Sequence, residues 1–234
     1  MSRRFFTPEL QPTTAELTLT GQEGRHLAVV LRGAPGDRVT LFNGRGLQAE
    51  GIVRRVEPQG VAIEITAYHP APEPQRRLVT LATAVPKGDR FDWLVEKATE
   101  LGVARLVPLV TARSVVEPRD TRLEKLRRVI VEASKQCSRN DLLELAPLTP
   151  VSAFLSNSFA EGSLWVAHPG GGLVRELAPT WPQAVSFLIG PEGGWTDPEV
   201  AAATARGAGL LSMGDNLLRI ETAGLALAAL ACGG

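Results

Sequence analysis

The chain has 234 residues, 44% of them hydrophobic and 21% charged, which suits one large domain or two smaller ones and excludes disordered and collagen-like polymers. Basic and acidic residues balance at 25 each, and a net charge of zero argues against indiscriminate binding of polyanions. No apolar run approaches the ~18 residues of a membrane span, and Pro8 interrupts the start before a signal-peptide core could form, so a soluble, cytoplasmic protein is expected.

Residues 1–70 read as short strands over 3–6, 16–20, 38–42, 47–56 and 61–68. Gly33-Ala34-Pro35-Gly36-Asp37, Asn43-Gly44-Arg45-Gly46 and Pro58-Gln59-Gly60 supply the tight reversals between them, and this regular spacing predicts a small closed β-barrel. Three prolines in His69-Pro70-Ala71-Pro72-Glu73-Pro74 preclude helix and mark a stiff linker, dividing the chain into domains 1–70 and 75–234. Beyond it, strands and helices alternate: a buried strand over 78–84, a helix over 90–101 with Phe91, Leu94, Val95, Ala98 and Leu101 inward and Gly102 as its left-handed cap, and a strand over 105–110. A helix over 122–137 turns Leu123, Leu126, Val129, Ile130 and Ala133 inward and Lys125, Arg127, Arg128 and Lys135 outward. Strands over 163–167, 185–189 and 210–212 follow, with helices over 197–206, capped by Thr196 with Pro198 in the first turn, and over 221–232. Such alternation predicts an α/β domain with a mostly parallel sheet covered on both faces, whose ligand binds at the carboxyl ends of the strands.

Charge is unevenly spread. Residues 71–145 carry 14 basic and 11 acidic groups and residues 146–234 only 3 and 7; 21 of the 25 cations are arginines, whose planar fork suits phosphate and bases, although genome composition produces the same bias. Cys137 and Cys232 lie far apart and read as reduced thiols, and His26, His69 and His168 have no metal-ligand spacing, so no metal is expected.

Two strand ends stand out. In Phe187-Leu188-Ile189-Gly190-Pro191-Glu192-Gly193-Gly194-Trp195 the glycines allow backbone amides to approach a ligand, or merely make a tight turn. In residues 210–224, Arg219, Glu221 and Thr222 cluster at a helix start, where they could be capping alone, while Leu217 and Leu218 in a polar loop call for an apolar partner such as a purine. No Gly-x-Gly-x-x-Gly follows the strand 78–84, and no Gly-x-x-x-x-Gly-Lys occurs, which disfavours a dinucleotide-dependent oxidoreductase and a nucleotide hydrolase. A non-catalytic RNA-binding module is the remaining alternative.

Together, Ile189-Gly190-Pro191-Glu192-Gly193-Gly194 and the run from Leu211-Ser212-Met213-Gly214 through Leu218-Arg219-Ile220-Glu221-Thr222-Ala223 resemble the paired cofactor motifs of the RsmE family of SPOUT methyltransferases. Lys97-Ala98-Thr99-Glu100-Leu101-Gly102-Val103, Arg113-Ser114-Val115-Val116, the stretch from Glu132 to Arg139, Arg3-Arg4-Phe5-Phe6, and His26-Leu27 through Val30-Leu31-Arg32 are similar too, so the resemblance covers nearly the whole chain. It implies a PUA-like N-terminal RNA-binding domain, a catalytic domain with a deep trefoil knot, a homodimer, and S-adenosylmethionine-dependent methylation of N3 of uridine 1498 in 16S rRNA, free or within the 30S subunit. On the same footing, Ala167, His168, Ile189, Gly190, Glu192, Gly193, Leu211, Met213, Gly214, Leu217 and Leu218 are expected at the cofactor. Arg219 would stabilise the uridine anion, and Glu221 or Glu192 would orient Arg219 or relay the proton. Arg3, Arg4, His26 and Arg32 on the first domain and Arg90, Arg113 and Arg139 on the second would contact RNA. The helix 221–232 is either a dimer interface or a core helix.

Overall fold

In a computed structural model, residues 3–69, 77–116, 120–156 and 163–233 are described. They divide into two compact units, residues 1–74 with 134–142, and residues 75–133 with 143–234.

The first unit contains strands β1 (Arg4–Phe6) and β2 (Glu16–Leu19), the short helix α1 (Gly21–Arg25) running into a π-type turn (His26–Val30), and strands β3 (Arg38–Phe42), β4 (Gln48–Glu57) and β5 (Gly60–His69). They form one sheet in the order β1-β3-β4-β5-β2, in which β1 and β3 are parallel and the other pairs antiparallel. Two register shifts between β4 and β5 curl the sheet, and its concave side encloses Phe5, Leu10, Leu19, Leu27, Val39, Leu41, Val53 and Ile63.

The second unit runs β6 (Leu78–Ala84), α2 (Arg90–Leu101), β7 (Arg105–Val110), α3 (Asp120–Gln136), β8 (Glu144–Leu145), β9 (Thr149–Pro150), α4 (Val151–Ser156), β10 (Ser163–Leu173), α5 (Val174–Leu177), β11 (Ala184–Ile189), α6 (Asp197–Thr204), β12 (Gly209–Ser212) and α7 (Ile220–Cys232). The last residues of α3 belong to the first unit. The strand order is β12-β10-β11-β6-β7-β8, with β9 also on β7, and every pairing is parallel. Adjacent residues of a strand point to opposite faces. Ala82, Leu188 and Val166 face a core completed by Phe154 and Leu155 of α4 and Ala203 of α6, whereas Leu81 and Ile189 lie against α7, within about 4 Å of a Cβ added at Gly224. The sheet is therefore buried on both sides, as continuous apolar strands require.

Local signals are obeyed closely. Gly102 closes α2 at φ 93°. Thr196 and Glu199 form a reciprocal capping box at α6 with a proline in its first turn. Two assignments change: Leu101, expected inward, is 36% exposed, and Lys135, expected outward, is 9% exposed, pairing with Glu23 at 3.1 Å with its ammonium 5.9 Å from the Phe5 ring. Strand β10 outruns its expected end. Leu211 of β12 is in register with both Ala167 and Gly172, so residues 168–171 arch between two registers. Among the described residues no helix is long and apolar enough to cross a membrane, no group of three or more His, Cys, Asp or Glu residues could hold a metal, and Cys137 and Cys232 are not joined in a disulfide.

Candidate functional site

Strands β10, β11 and β12 end at one cleft of about 600 Å³, placed where ligands of parallel sheets bind. Ala167, His168, Ile189, Gly190, Glu192, Leu211, Met213, Gly214, Leu217 and Leu218 line it, so the two glycine-bearing loops, distant in sequence, share one cavity. Leu173, Trp195, Ser212, Ile220 and Ala223 line it as well; all but Leu173 lie within the quoted motif strings, although none was among the residues expected at the cofactor. Ile189 and Leu211 are buried beneath the cleft while Leu217, also apolar, is 86% exposed on its lining.

The loops are held by specific bonds. The amide of Gly194, at φ 71°, donates to the Pro191 carbonyl at 2.8 Å, making a tight turn that presents Glu192. The indole Nε1 of Trp195 donates to the Ala167 carbonyl at 3.2 Å, and its ring lies so close under Gly190 that an added Cβ would meet it at 3.0 Å. On the second loop the buried Ser212 hydroxyl accepts from the amide of Gly214 at 3.3 Å. The amide of Gly170 donates to Nδ1 of His168 at 3.1 Å, which leaves Nε2 as the protonated nitrogen of the neutral ring.

Gly193 behaves differently. It does not line the cleft; a Cβ there would face the Arg113 side chain at 3.3 Å, and its carbonyl accepts from Arg113 Nη1 at 2.7 Å. Arg113, expected at RNA, thus clamps the outer side of the glycine loop and also reaches the Trp195 carbonyl at 3.4 Å. Glu199 completes the clamp by accepting from the Ala112 amide at 2.8 Å. Burial opposes ionisation of Glu199, but hydrogen bonds from the Thr196 and Ala112 amides and the Thr196 hydroxyl, with the charge of Arg113, outweigh it and hold the carboxyl below its ordinary range.

The three residues expected to be catalytic separate. Glu192 lines the cleft; Arg219 is the exposed N-cap residue of α7 and lies outside the lining; Glu221, in the first turn of the helix, is 5% exposed. Glu221 does not orient Arg219, because its partner is Arg90, Nη1 to Oε1 at 3.5 Å, and Arg90 Nη2 is 3.6 Å from Glu192. Arg90 therefore stands between two carboxylates. Of the remaining arginines, Arg4 and Arg139 are buried inside the first unit, 4% and 6% exposed. Arg4 stacks 4.4 Å over the Phe42 ring and bonds Gln48, Asn140 and the Arg139 carbonyl, and Arg139 pairs with Asp141 at 2.9 Å. Neither is presented to a ligand, and Arg139, expected on the second domain, folds with the first unit. Arg3 pairs with Asp37 at 2.7 Å, Arg32 is exposed at φ 49°, and the His26 ring sits edge-on to Phe5.

Residues 72–232 match the family model for the RNA methyltransferase domain, and residues 19–66 match that for the RNA methyltransferase PUA domain. Fold and cleft thus define an RNA methyltransferase with a PUA domain. A Synechocystis protein named ribosomal RNA small subunit methyltransferase E is 30% identical over 95% of this chain and 75% of its own length, and the Bacillus subtilis protein of that name is 29% identical over 89% and 86%. The crystal structure of a ribosomal RNA small subunit methyltransferase E from Neisseria gonorrhoeae bound to S-adenosyl methionine superposes with a TM-score of 0.87 at 28% identity, covering 98% of this chain and 96% of that one. A putative methyltransferase from Legionella pneumophila, in complex with bound cofactor SAM, gives 0.86 at 30% identity over 98% and 97%. The chain belongs to the ribosomal RNA small subunit methyltransferase E family.

Proposed function

We propose that the chain transfers a methyl group from S-adenosylmethionine to N3 of a uridine in small-subunit ribosomal RNA, acting in the cytoplasm as a homodimer. The convergence of both glycine-bearing loops on one cleft of about 600 Å³ carries this reading, since that volume is within the range of small-molecule sites. The family's structural relative from Neisseria gonorrhoeae, bound to S-adenosyl methionine, supports it. The cleft lining suits the cofactor's chemistry: Gly190, Met213 and Gly214 would offer main-chain groups to its polar edges, Ile189, Leu211, Leu217 and Leu218 would flank adenine, and Ala167 and His168 line the same cleft. When bound, the cofactor supplies a methyl group on a positively charged sulfur, activated for in-line displacement.

The protein's part is alignment and proton transfer. Uridine N3 carries a proton that must leave before its lone pair is available. Glu192, on the cleft wall, accepts it, directly or through water. Arg219, exposed at the start of α7, faces the negative charge that then develops on the pyrimidine. Glu221 is buried and acts on its neighbours rather than on the base. The trefoil knot implied by the family resemblance belongs to the same reading.

The test is incubation of the protein with small-subunit RNA, free and as the 30S particle, and radiolabelled S-adenosylmethionine, followed by nucleoside mass spectrometry. The expected product is 3-methyluridine. No label, or label on another base, would defeat the proposal.

A further inference from the structure

We propose that Arg90 is a positioning residue of this site, holding the carboxylates of Glu192 and Glu221 on one guanidinium so that the glycine loop at 190–194 and the first turn of α7 are set together. The inference rests on the function proposed above.

Its basis is the division of one fork between two acids. Nη1 is 3.5 Å from the buried Glu221 and Nη2 is 3.6 Å from Glu192 on the cleft wall, while Nε donates to the Lys87 carbonyl at 3.1 Å and fixes the plane of the group. Glu221 is 7% exposed in its side chain, and its Oε2 is buried without a hydrogen-bond partner among the described residues. A buried carboxylate needs a compensating cation. A cation serving only that need would face Glu221 alone. Arg90 faces outward as well, and the carboxylate it reaches there is the one on the cleft. A planar fork fixes the separation and direction of two acceptors; a lysine ammonium supplies charge without that geometry. Both ion-pair distances are at the long end for charged partners, as in unliganded sites whose bonds tighten when substrate closes them. The residue that neutralises the interior acid thereby aims the wall acid at the reacting base.

Three variants separate aiming from neutralising: Arg90→Lys, Arg90→Gln and Arg90→Gln combined with Glu221→Gln. Each is read by thermal melting without ligand, by S-adenosylmethionine affinity in calorimetry, and by kcat for RNA methylation. Arg90→Gln should melt lower, since it strands the Glu221 charge, and the double variant should recover the melting temperature. All three should lose kcat on the order of 10²-fold, the cost of misplacing a catalytic group by about 1 Å, with cofactor affinity little changed. Wild-type kcat in Arg90→Lys or in the double variant would overturn the proposal, because charge compensation alone would then suffice. So would a loss of cofactor affinity large enough to account for the whole loss of rate. A wild-type protein that neither binds S-adenosylmethionine nor methylates the RNA would overturn the underlying function, and the inference with it.

Discussion

Gly190 and Gly193 lie three residues apart in one loop and meet opposite surroundings. At Gly190 an added methyl would press on the Trp195 indole at 3.0 Å, and that ring is tied to Ala167 by its Nε1 bond. Gly190→Ala should therefore displace the ring, lose a bond worth about 1 kcal/mol, and weaken S-adenosylmethionine binding roughly tenfold. Calorimetry showing unchanged affinity with an unchanged melting temperature would mean that this wall does not meet the cofactor. Gly193→Ala should be milder, since the methyl meets only the flexible Arg113 side chain at 3.3 Å. The glycines of this loop allowed close approach to a ligand or a mere tight turn, and the loop does line the cleft. Which glycine lines the cleft was not legible, because the answer depends on Trp195 turning under one and on Arg113, eighty residues earlier in the chain, covering the other. The arginines follow the same rule. The family resemblance suggested Arg4 and Arg139 as RNA contacts, and only the partners folded against them, Phe42, Gln48, Asn140 and Asp141, reveal interior roles.

Among the elements, those specified by neighbouring residues could be read with near-residue accuracy. The cap of α6 is an example, and its acid carries a pH signature. Because Glu199 ionises below the ordinary carboxylate range when folded, its contribution is fully present above the unfolded value and disappears as pH falls through the lower, folded one. Thr196→Ala should cost about 1 kcal/mol at neutral pH, and the gap between variant and wild type in urea unfolding should narrow below that range; a constant gap would show that the acid is not coupled to the cap. The arch at residues 168–171 was illegible for the opposite reason. Nothing near His168 announces that β12, some forty residues on, will lie against it. A Cβ at Gly171 would sit 2.5 Å from the Leu210 carbonyl carbon and 2.6 Å from that of Leu211. Backbone cannot swing aside as a side chain does, so Gly171→Ala should destabilise the chain by at least the ~1–3 kcal/mol of an overpacked core. Wild-type unfolding would contradict the close approach of arch and strand.

For the whole molecule, α7 meets the core-helix reading on one side and leaves an apolar side uncovered on the other. Ile220, Ala223, Gly224, Leu227, Ala228 and Ala231 are buried, with the helix packed on α2, β6 and β11, whereas Ala229 and Leu230 are exposed, the latter at 46%. The homodimer proposed above would use that outer side. Leu230→Glu should then shift the sedimentation coefficient to that of a monomer without lowering the single-chain melting transition, and undiminished association would exclude this face.

The excursion of residues 134–142 into the first unit has a practical outcome. The polypeptide passes between the units three times, so after a single cut in the proline-rich linker the N-terminal segment should stay bound to the remainder through its packing on the 134–142 strip, and separate only on unfolding. Expressing residues 1–74 alone would remove Asn140 and the Arg139 carbonyl from the Arg4 guanidinium, stripping a buried cation of its acceptors. An autonomous version of the N-terminal module has to carry the 134–142 strip with it, as a grafted loop or a co-expressed peptide.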